Sequence, residues 1–112
     1  MHELALTQSV LNLALQHAQQ AGAQRVVAVN LTLAEFAHET EDSLQFYWGL
    51  LREGTLAQAA ELRMRRVPLQ ALCDECGQRF VPSEEPLICP ACFSPRVTPE
   101  ADLVRVESID VE

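Results

Sequence analysis

The chain has 112 residues, enough for one domain or one small core with a satellite, and 48% of them are hydrophobic, which argues against disorder. The net charge of −8 gives a surface that repels phosphate, so we expect no nucleic acid and no anionic membrane as partners. No apolar run approaches the roughly 20 residues of a membrane-spanning helix, and a basic signal segment is missing. We therefore expect a cytoplasmic protein.

The first predicted elements are a helix and a strand. Apolar residues at helical spacing predict a helix over residues 7–21, with Thr7 as its N-cap and Gly22 just after its end. Residues 25–33 then alternate with a period of two, which predicts a strand. The polar stretch over residues 35–41 interrupts this pattern.

A second helix, a second strand and a proline-rich stretch follow. Apolar spacing and an acidic first turn predict a helix over residues 41–53. Alternation predicts a strand over residues 61–67. Residues 69–102 contain five of the six prolines and all four cysteines. A last strand is predicted over residues 103–111, with a bulge near Glu107 or Ser108.

The cysteines form two CxxC pairs, Cys73 with Cys76 and Cys89 with Cys92. Two residues between cysteines let one tight turn bring both sulfurs to about 3.5–4 Å from each other. Gly77 suits the positive φ that such a turn needs, whereas the second turn has Phe93 at the matching position. Two turns joined by a hairpin predict a closed four-cysteine zinc site, which is structural rather than catalytic.

A redox-active dithiol is the alternative for the cysteines. A redox CxxC pair usually opens a helix in a thioredoxin-like unit, and no such unit surrounds either pair here. The reducing cytoplasm also disfavours disulfides, which supports metal binding.

The element order predicts an α+β fold. We expect a three-stranded sheet with two helices on one face, plus an inserted zinc-ribbon-like domain. The predicted boundaries give an α/β domain in residues 1–68 and 103–112, and a zinc-binding domain in residues 69–102.

His2 directly follows Met1, which brings three nitrogens within reach of one ion: the α-amine, the amide of His2 and its imidazole. The amide of Glu3 can add a fourth. Four nitrogens in a plane favour Ni(II) or Cu(II) over Zn(II). On the residues alone, a surface histidine without a metal role is the alternative.

Several motifs occur in a fixed order along the whole chain. They are Met1-His2-Glu3, Gln24-Arg25-Val26, Asp42-Ser43-Leu44-Gln45-Phe46, Arg52-Glu53-Gly54-Thr55-Leu56-Ala57 and the two CxxC pairs. This combination resembles the HypA/HybF family of nickel metallochaperones, which serve maturation of [NiFe]-hydrogenase.

The resemblance implies that nickel is bound by the α-amine of Met1 and by His2, with Glu3 supplying a backbone nitrogen or a modulating side chain. It implies a structural zinc ion on the four cysteines. It also implies two partners, the nickel-handling GTPase HypB and the hydrogenase large subunit, with a homodimer as one possible assembly. We expect no enzyme activity, since no nucleophile–base pair and no phosphate loop is visible.

Two alternatives stay open at this point. A zinc-ribbon protein-interaction module without nickel function explains the cysteines but gives His2 no role. In the polar loop, His38 and Glu41 are candidates for a further nickel ligand, and a solvated turn is the alternative for His38.

Overall fold

The computed structural model describes residues 2–112, so Met1, the source of the predicted amine ligand, lies outside the described residues. The described chain forms two α-helices and six β-strands. In chain order these are α1 (His2–Gln20), β1 (Val26–Ala34), α2 (Glu41–Leu51), β2 (Glu61–Val67), β3 (Ala71–Cys73), β4 (Arg79–Phe80), β5 (Val97–Pro99) and β6 (Val104–Val111). Within residues 2–112, neither helix has the length and apolar character needed to cross a membrane.

Helix α1 begins at His2, well before the predicted start at Thr7. Thr7 is not an N-cap, because it is 1% exposed and its hydroxyl donates a hydrogen bond to the carbonyl of Glu3 at 2.7 Å. A threonine inside a helix bonds back in this way to the preceding turn. The helix ends at Gln20, one residue before the predicted end, and Gly22 has the predicted positive φ, of +64°.

Helix α2 begins where the sequence predicts it. The hydroxyl oxygen of Thr40 caps it by accepting a hydrogen bond from the amide of Ser43 at 3.2 Å. Its inner face carries the buried residues Leu44 and Trp48, and the indole N–H of Trp48 donates to the carbonyl of Ala60 at 3.0 Å. Helix α2 also packs against α1.

The larger sheet has the strand order β2-β1-β6. Seven of the nine residues of β1 are buried, in keeping with its central position between β2 and β6. Strand β6 alternates between half-buried and exposed residues until Glu107 and Ser108, which are both exposed. The alternation thus breaks where the sequence predicts a bulge.

The smaller sheet has the strand order β4-β3-β5, and both pairs are antiparallel. Ala71 pairs with Phe80 on one side, and Leu72 pairs with Thr98 on the other. Strand β3 ends at Cys73, so this sheet leads directly into the first cysteine pair. The predicted α+β fold, with a three-stranded sheet, two helices on one face and an inserted zinc-ribbon-like part, is confirmed.

The described chain divides into two compact units, with boundaries within β1, β2 and β6 and between His38 and Glu39. The first unit comprises residues 2–31, Glu39–Met64 and Val106–Glu112, and the second comprises Thr32–His38 and Arg65–Arg105. The second unit has a small apolar cluster of Ala34, Phe36 and Ala37, against which Leu69, Leu87 and Leu103 pack. The separate nickel and zinc roles of the two predicted domains stay a prediction.

Candidate metal centres

The four cysteines converge on one point in the second unit. The sulfur of Cys73 lies 3.6 Å from that of Cys92, and the sulfur of Cys76 lies 3.6 Å from that of Cys89. All four sulfurs lie within 4.8 Å of one another, and none of the four cysteines is in a disulfide. The two CxxC pairs that the sequence separates are therefore one cluster.

Two similar turns hold the sulfurs in place: a first cysteine turn over residues 73–77 and a second over residues 89–93. In the first, the amide of Gly77 donates to the carbonyl of Cys73 at 2.9 Å. In the second, the amide of Phe93 donates to the carbonyl of Cys89 at 2.8 Å. Each turn also directs an amide at its leading sulfur, from Cys76 and from Ala91, at 3.4 Å in both cases.

The thiol of Cys89 ionises most readily of those with a shifted pKa. Burial opposes its ionisation, but hydrogen bonds from the amides of Cys92 and Ala91 and from the neighbouring thiols lower its pKa to about 7. Near neutral pH this sulfur is thus partly a thiolate, the form that binds metal.

The thiols of Cys92 and Cys76 show the opposite shift. A hydrogen bond from the amide of Ser94 favours the Cys92 thiolate, but burial and the nearby sulfurs outweigh it and raise the pKa to about 12. The backbone of Gln78 likewise favours the Cys76 thiolate, and burial and the nearby sulfurs still raise its pKa. So close together, these sulfurs resist becoming four thiolates unless a cation compensates their charge.

The cysteine cluster fits a zinc ion. Tetrahedral zinc with bonds of about 2.3 Å to sulfur places its ligands roughly 3.8 Å apart. The observed sulfur separations of 3.6 Å are close to this value. Four thiolates fill the coordination sphere, so such an ion would stabilise the turns and would have no open position for chemistry.

A second cluster forms where the two helices of the first unit begin. His2 lies in the first turn of α1, and Glu39 immediately precedes Thr40, the cap of α2. The Nε2 atom of His2 lies 2.5 Å from the Oε2 atom of Glu39. The side chain of His2 is 66% exposed, whereas that of Glu39 is 4% exposed. An exposed imidazole is thus held by a buried carboxylate.

This buried carboxylate is favourably placed. Burying an ionised carboxylate is costly unless hydrogen-bond donors and positive charge compensate it. The starts of α1 and α2 carry the positive ends of two helix dipoles, which favour a negative charge. The imidazole of His2 contacts the carboxylate directly at 2.5 Å.

Comparison with known proteins assigns the chain to a family. The family model described as "Hydrogenase/urease nickel incorporation, metallochaperone, hypA" matches residues 1–111. The chain belongs to the HypA family. The predicted resemblance is therefore confirmed over essentially the whole chain.

Individual relatives agree with this assignment. The hydrogenase maturation factor HybF of Salmonella typhimurium is 35% identical over 113 residues, and the match covers 100% of both chains. The hydrogenase maturation factor HypA of Rhizobium leguminosarum bv. viciae is 33% identical over 112 residues, with 99% of both chains covered. The solution structure of the Ni metallochaperone HypA from Helicobacter pylori matches with a TM-score of 0.77 and 20% identity, covers 97% of this chain and 96% of that chain, and supports the fold.

HypA proteins are maturation factors and metallochaperones, not enzymes. The chain therefore belongs among proteins of nickel incorporation for hydrogenase maturation, a role that implies partners in that process. Of the residues predicted to bind nickel, the structure describes His2 and Glu3, in the first turn of α1. Met1 lies outside the described residues.

The polar loop also contains the other two nickel-ligand candidates of this HypA chain, His38 and Glu41. His38 belongs to the second unit, where its Nδ1 atom lies 3.0 Å from the Oε2 atom of Glu85. Glu41 is the first residue of α2. A role for either residue in nickel binding stays a prediction.

Sequence reasoning overlooked Glu39. It lies in the polar stretch over residues 35–41, and acidic residues in loops are usually solvated. A usable signal was its position just before a capping threonine, following the apolar pair Phe36-Ala37, which is buried. The pattern could not reveal that α1 extends to His2 and meets this carboxylate.

Proposed function

We propose that this chain is a nickel metallochaperone that binds Ni(II) at its N-terminus and delivers it during maturation of the [NiFe]-hydrogenase large subunit. The ligands are the α-amine of Met1, the imidazole and amide nitrogens of His2, and the backbone nitrogen of Glu3. The observation that carries the proposal is the short contact between His2 and Glu39, which holds the imidazole of His2 near the start of α1.

The start of a helix suits this ligand set. The first four amides of an α-helix have no acceptor within the helix. The nitrogens of His2 and Glu3 lie in that first turn, so binding an ion there breaks no hydrogen bond of the helix ladder. Four nitrogens in a plane favour Ni(II) over Zn(II), which separates this site from the cysteine cluster.

We assign the two metals to different domains according to their ligands, nitrogen for nickel and sulfur for zinc. Residues 1–68 and 103–112 would form the nickel-binding domain, and residues 69–102 the zinc-binding domain. Zinc on Cys73, Cys76, Cys89 and Cys92 would hold the second domain in shape, because a closed site offers no position for exchange.

Delivery would proceed by ligand exchange. A nickel ion bound by a few accessible nitrogens can be transferred to a partner that offers better ligands. The side chain of His2 is 66% exposed, which supports such access. The proposed partners are the nickel-handling GTPase HypB and the hydrogenase large subunit. The proposed compartment is the cytoplasm, in keeping with four free cysteines gathered as thiols.

Calorimetric titration of Ni²⁺ into zinc-loaded protein tests the proposal. We expect His2→Ala to abolish the tight site, because it removes the imidazole nitrogen. His17→Ala is the matched control, since His17 is an exposed histidine in the last turn of the same helix. Equal nickel binding by wild type and His2→Ala would refute the proposal.

A zinc-ribbon interaction module without nickel function is the second candidate. The second unit exposes Val81, Ile88 and Phe93 by 50%, 48% and 77%, and exposed apolar side chains occur at protein interfaces. Extending the N-terminus by a few residues separates the two readings, because it displaces the α-amine from His2. Hydrogenase maturation should fail if the nickel role is right and should be unchanged if the chain acts only through its zinc unit.

A further inference from the structure

We propose that Glu39 is a positioning residue of the nickel site. Its carboxylate would accept a hydrogen bond from Nε2 of His2 and so present Nδ1 of the same ring to the ion. This inference rests on the proposed nickel function and adds to it a side chain from the second helix of the unit.

The direction of the hydrogen bond follows from the chemistry of the pair. An ionised carboxylate can only accept hydrogen bonds, so Nε2 of His2 must carry the proton. The separation of 2.5 Å is in the range of a charge-assisted bond. The contact thus selects one tautomer, in which Nδ1 is the nitrogen with a lone pair directed away from Glu39.

The selected tautomer is the one that chelation at His2 requires. Nδ1 and the amide nitrogen of His2 are close along the covalent structure and can close a small chelate ring on one ion. Nε2 is on the far side of the ring and cannot bind the same ion without losing the amide. A carboxylate on Nε2 therefore prepares the imidazole for nickel and keeps the wrong nitrogen occupied.

The two residues of the pair also differ in their exposure to solvent. Glu39 is 4% exposed and sits beside the capped start of α2, so its position is fixed, while the His2 side chain is 66% exposed and open to an incoming ion. When the ring binds a cation, its Nε2–H becomes a stronger donor, and the bond to Glu39 strengthens with it. Glu39 thus increases affinity without occupying a coordination position.

Four zinc-loaded proteins test the inference: wild type, Glu39→Ala, Glu39→Gln and Glu35→Ala. Glu35 is the matched control, since it is an exposed acid of the same loop. Calorimetry gives the nickel affinity, and the visible absorption of the nickel complex at saturation reports its ligand set. In nickel-free protein, the ¹⁵N shifts of the His2 ring report the hydrogen bond at Nε2.

We expect Glu39→Ala to weaken nickel binding by about tenfold, the usual effect of removing the hydrogen-bond partner of a ligand. Glu39→Gln should stay within about threefold of wild type, because its amide oxygen still accepts from Nε2. The absorption of the saturated complex should be the same in all four proteins. The Nε2 shift of nickel-free protein should change in Glu39→Ala and not in Glu35→Ala.

Three results would overturn the inference. They are unchanged affinity in Glu39→Ala, a loss in Glu39→Gln as large as that in Glu39→Ala, and an altered absorption that makes Glu39 a direct ligand. If Glu39→Ala does not fold, as zinc content and circular dichroism would reveal, Glu39→Gln and the ring shifts decide. The variant His2→Ala distinguishes this inference from the proposed function. If His2→Ala loses nickel binding and Glu39→Ala binds nickel as wild type does, only the role of Glu39 is refuted.

Discussion

Gly77 and Phe93 occupy equivalent positions in the two cysteine turns, and both have a positive φ, of +79° and +61°. Each donates its amide to the carbonyl of the cysteine that opens its turn. For glycine this conformation costs nothing, whereas a residue with a Cβ atom is strained by about 1–2 kcal/mol. The second turn therefore carries strain that the first avoids.

Phe93→Gly should stabilise the zinc-loaded protein. The strain of about 1–2 kcal/mol disappears, and the greater freedom of glycine in the unfolded chain offsets about 0.5–1 kcal/mol of that gain. Little packing is lost, because Phe93 is 77% exposed. We expect a net gain of up to about 1 kcal/mol in the free energy of unfolding, measured with denaturant at constant free zinc.

Gly77→Ala is the reciprocal variant. A Cβ atom at Gly77 would meet nothing within 4 Å, so the substitution changes the backbone energy and not the packing. We expect a loss of about 1 kcal/mol. Effects of the same sign in the two variants would contradict the interpretation that both turns need a left-handed residue.

Zinc affinity should fall as the pH is lowered, more steeply below neutrality. The pKa values of Cys76 and Cys92 are raised, so both thiols must lose their protons when zinc binds, throughout the accessible pH range. Cys89, with a pKa of about 7, is mostly ionised at about pH 8 and adds its proton only at lower pH. Zinc affinity can be measured by chelator competition between about pH 6 and 8.5. The slope of its logarithm against pH, which counts the protons released per zinc ion, should increase by about one as the pH is lowered. A slope that flattens on acidification would contradict this.

Removal of zinc should unfold the second unit before the first. The apolar cluster of that unit is small, with Ala34, Phe36 and Ala37 as its buried members, so the metal supplies much of its stability. Trp48 is buried in the first unit and is the only tryptophan, so its fluorescence should be nearly unchanged when a chelator is added. Hydrogen exchange over residues 69–102 should meanwhile accelerate. Simultaneous loss of both signals would show that the units do not unfold separately.

The sequence predicted the elements whose periodicity is long enough to read. Strand β2 has the predicted bounds, and α2 has the predicted start, because alternation and helical spacing persist over several residues in each. The start of α1 was missed because residues 2–6 include no N-cap residue, and the first recognisable cap, Thr7, lies inside the helix. Strands β3, β4 and β5 have only two or three residues, too few for any period, and their pairing depends on the cysteine turns.

The two candidate metal sites also differ in how well they could be predicted from the sequence. The four cysteines could be assigned because their spacing already implies a common centre. The contact between His2 and Glu39 spans 37 positions and depends on where two helices begin, which no local pattern encodes. Residues brought together by tertiary packing are therefore the part of this site that required the structure.

Thr40→Ala should destabilise the first unit by about 1 kcal/mol, the usual cost of losing an N-cap. The hydroxyl of Thr40 accepts from the amide of Ser43 at 3.2 Å, and alanine leaves that amide at the helix start without this acceptor. Thr40 is exposed, so little packing changes, and Thr40→Ser is the matched control because it keeps the hydroxyl. Urea unfolding followed by Trp48 fluorescence measures the effect. Equal losses in both variants would show that the methyl group, and not the cap, is what matters.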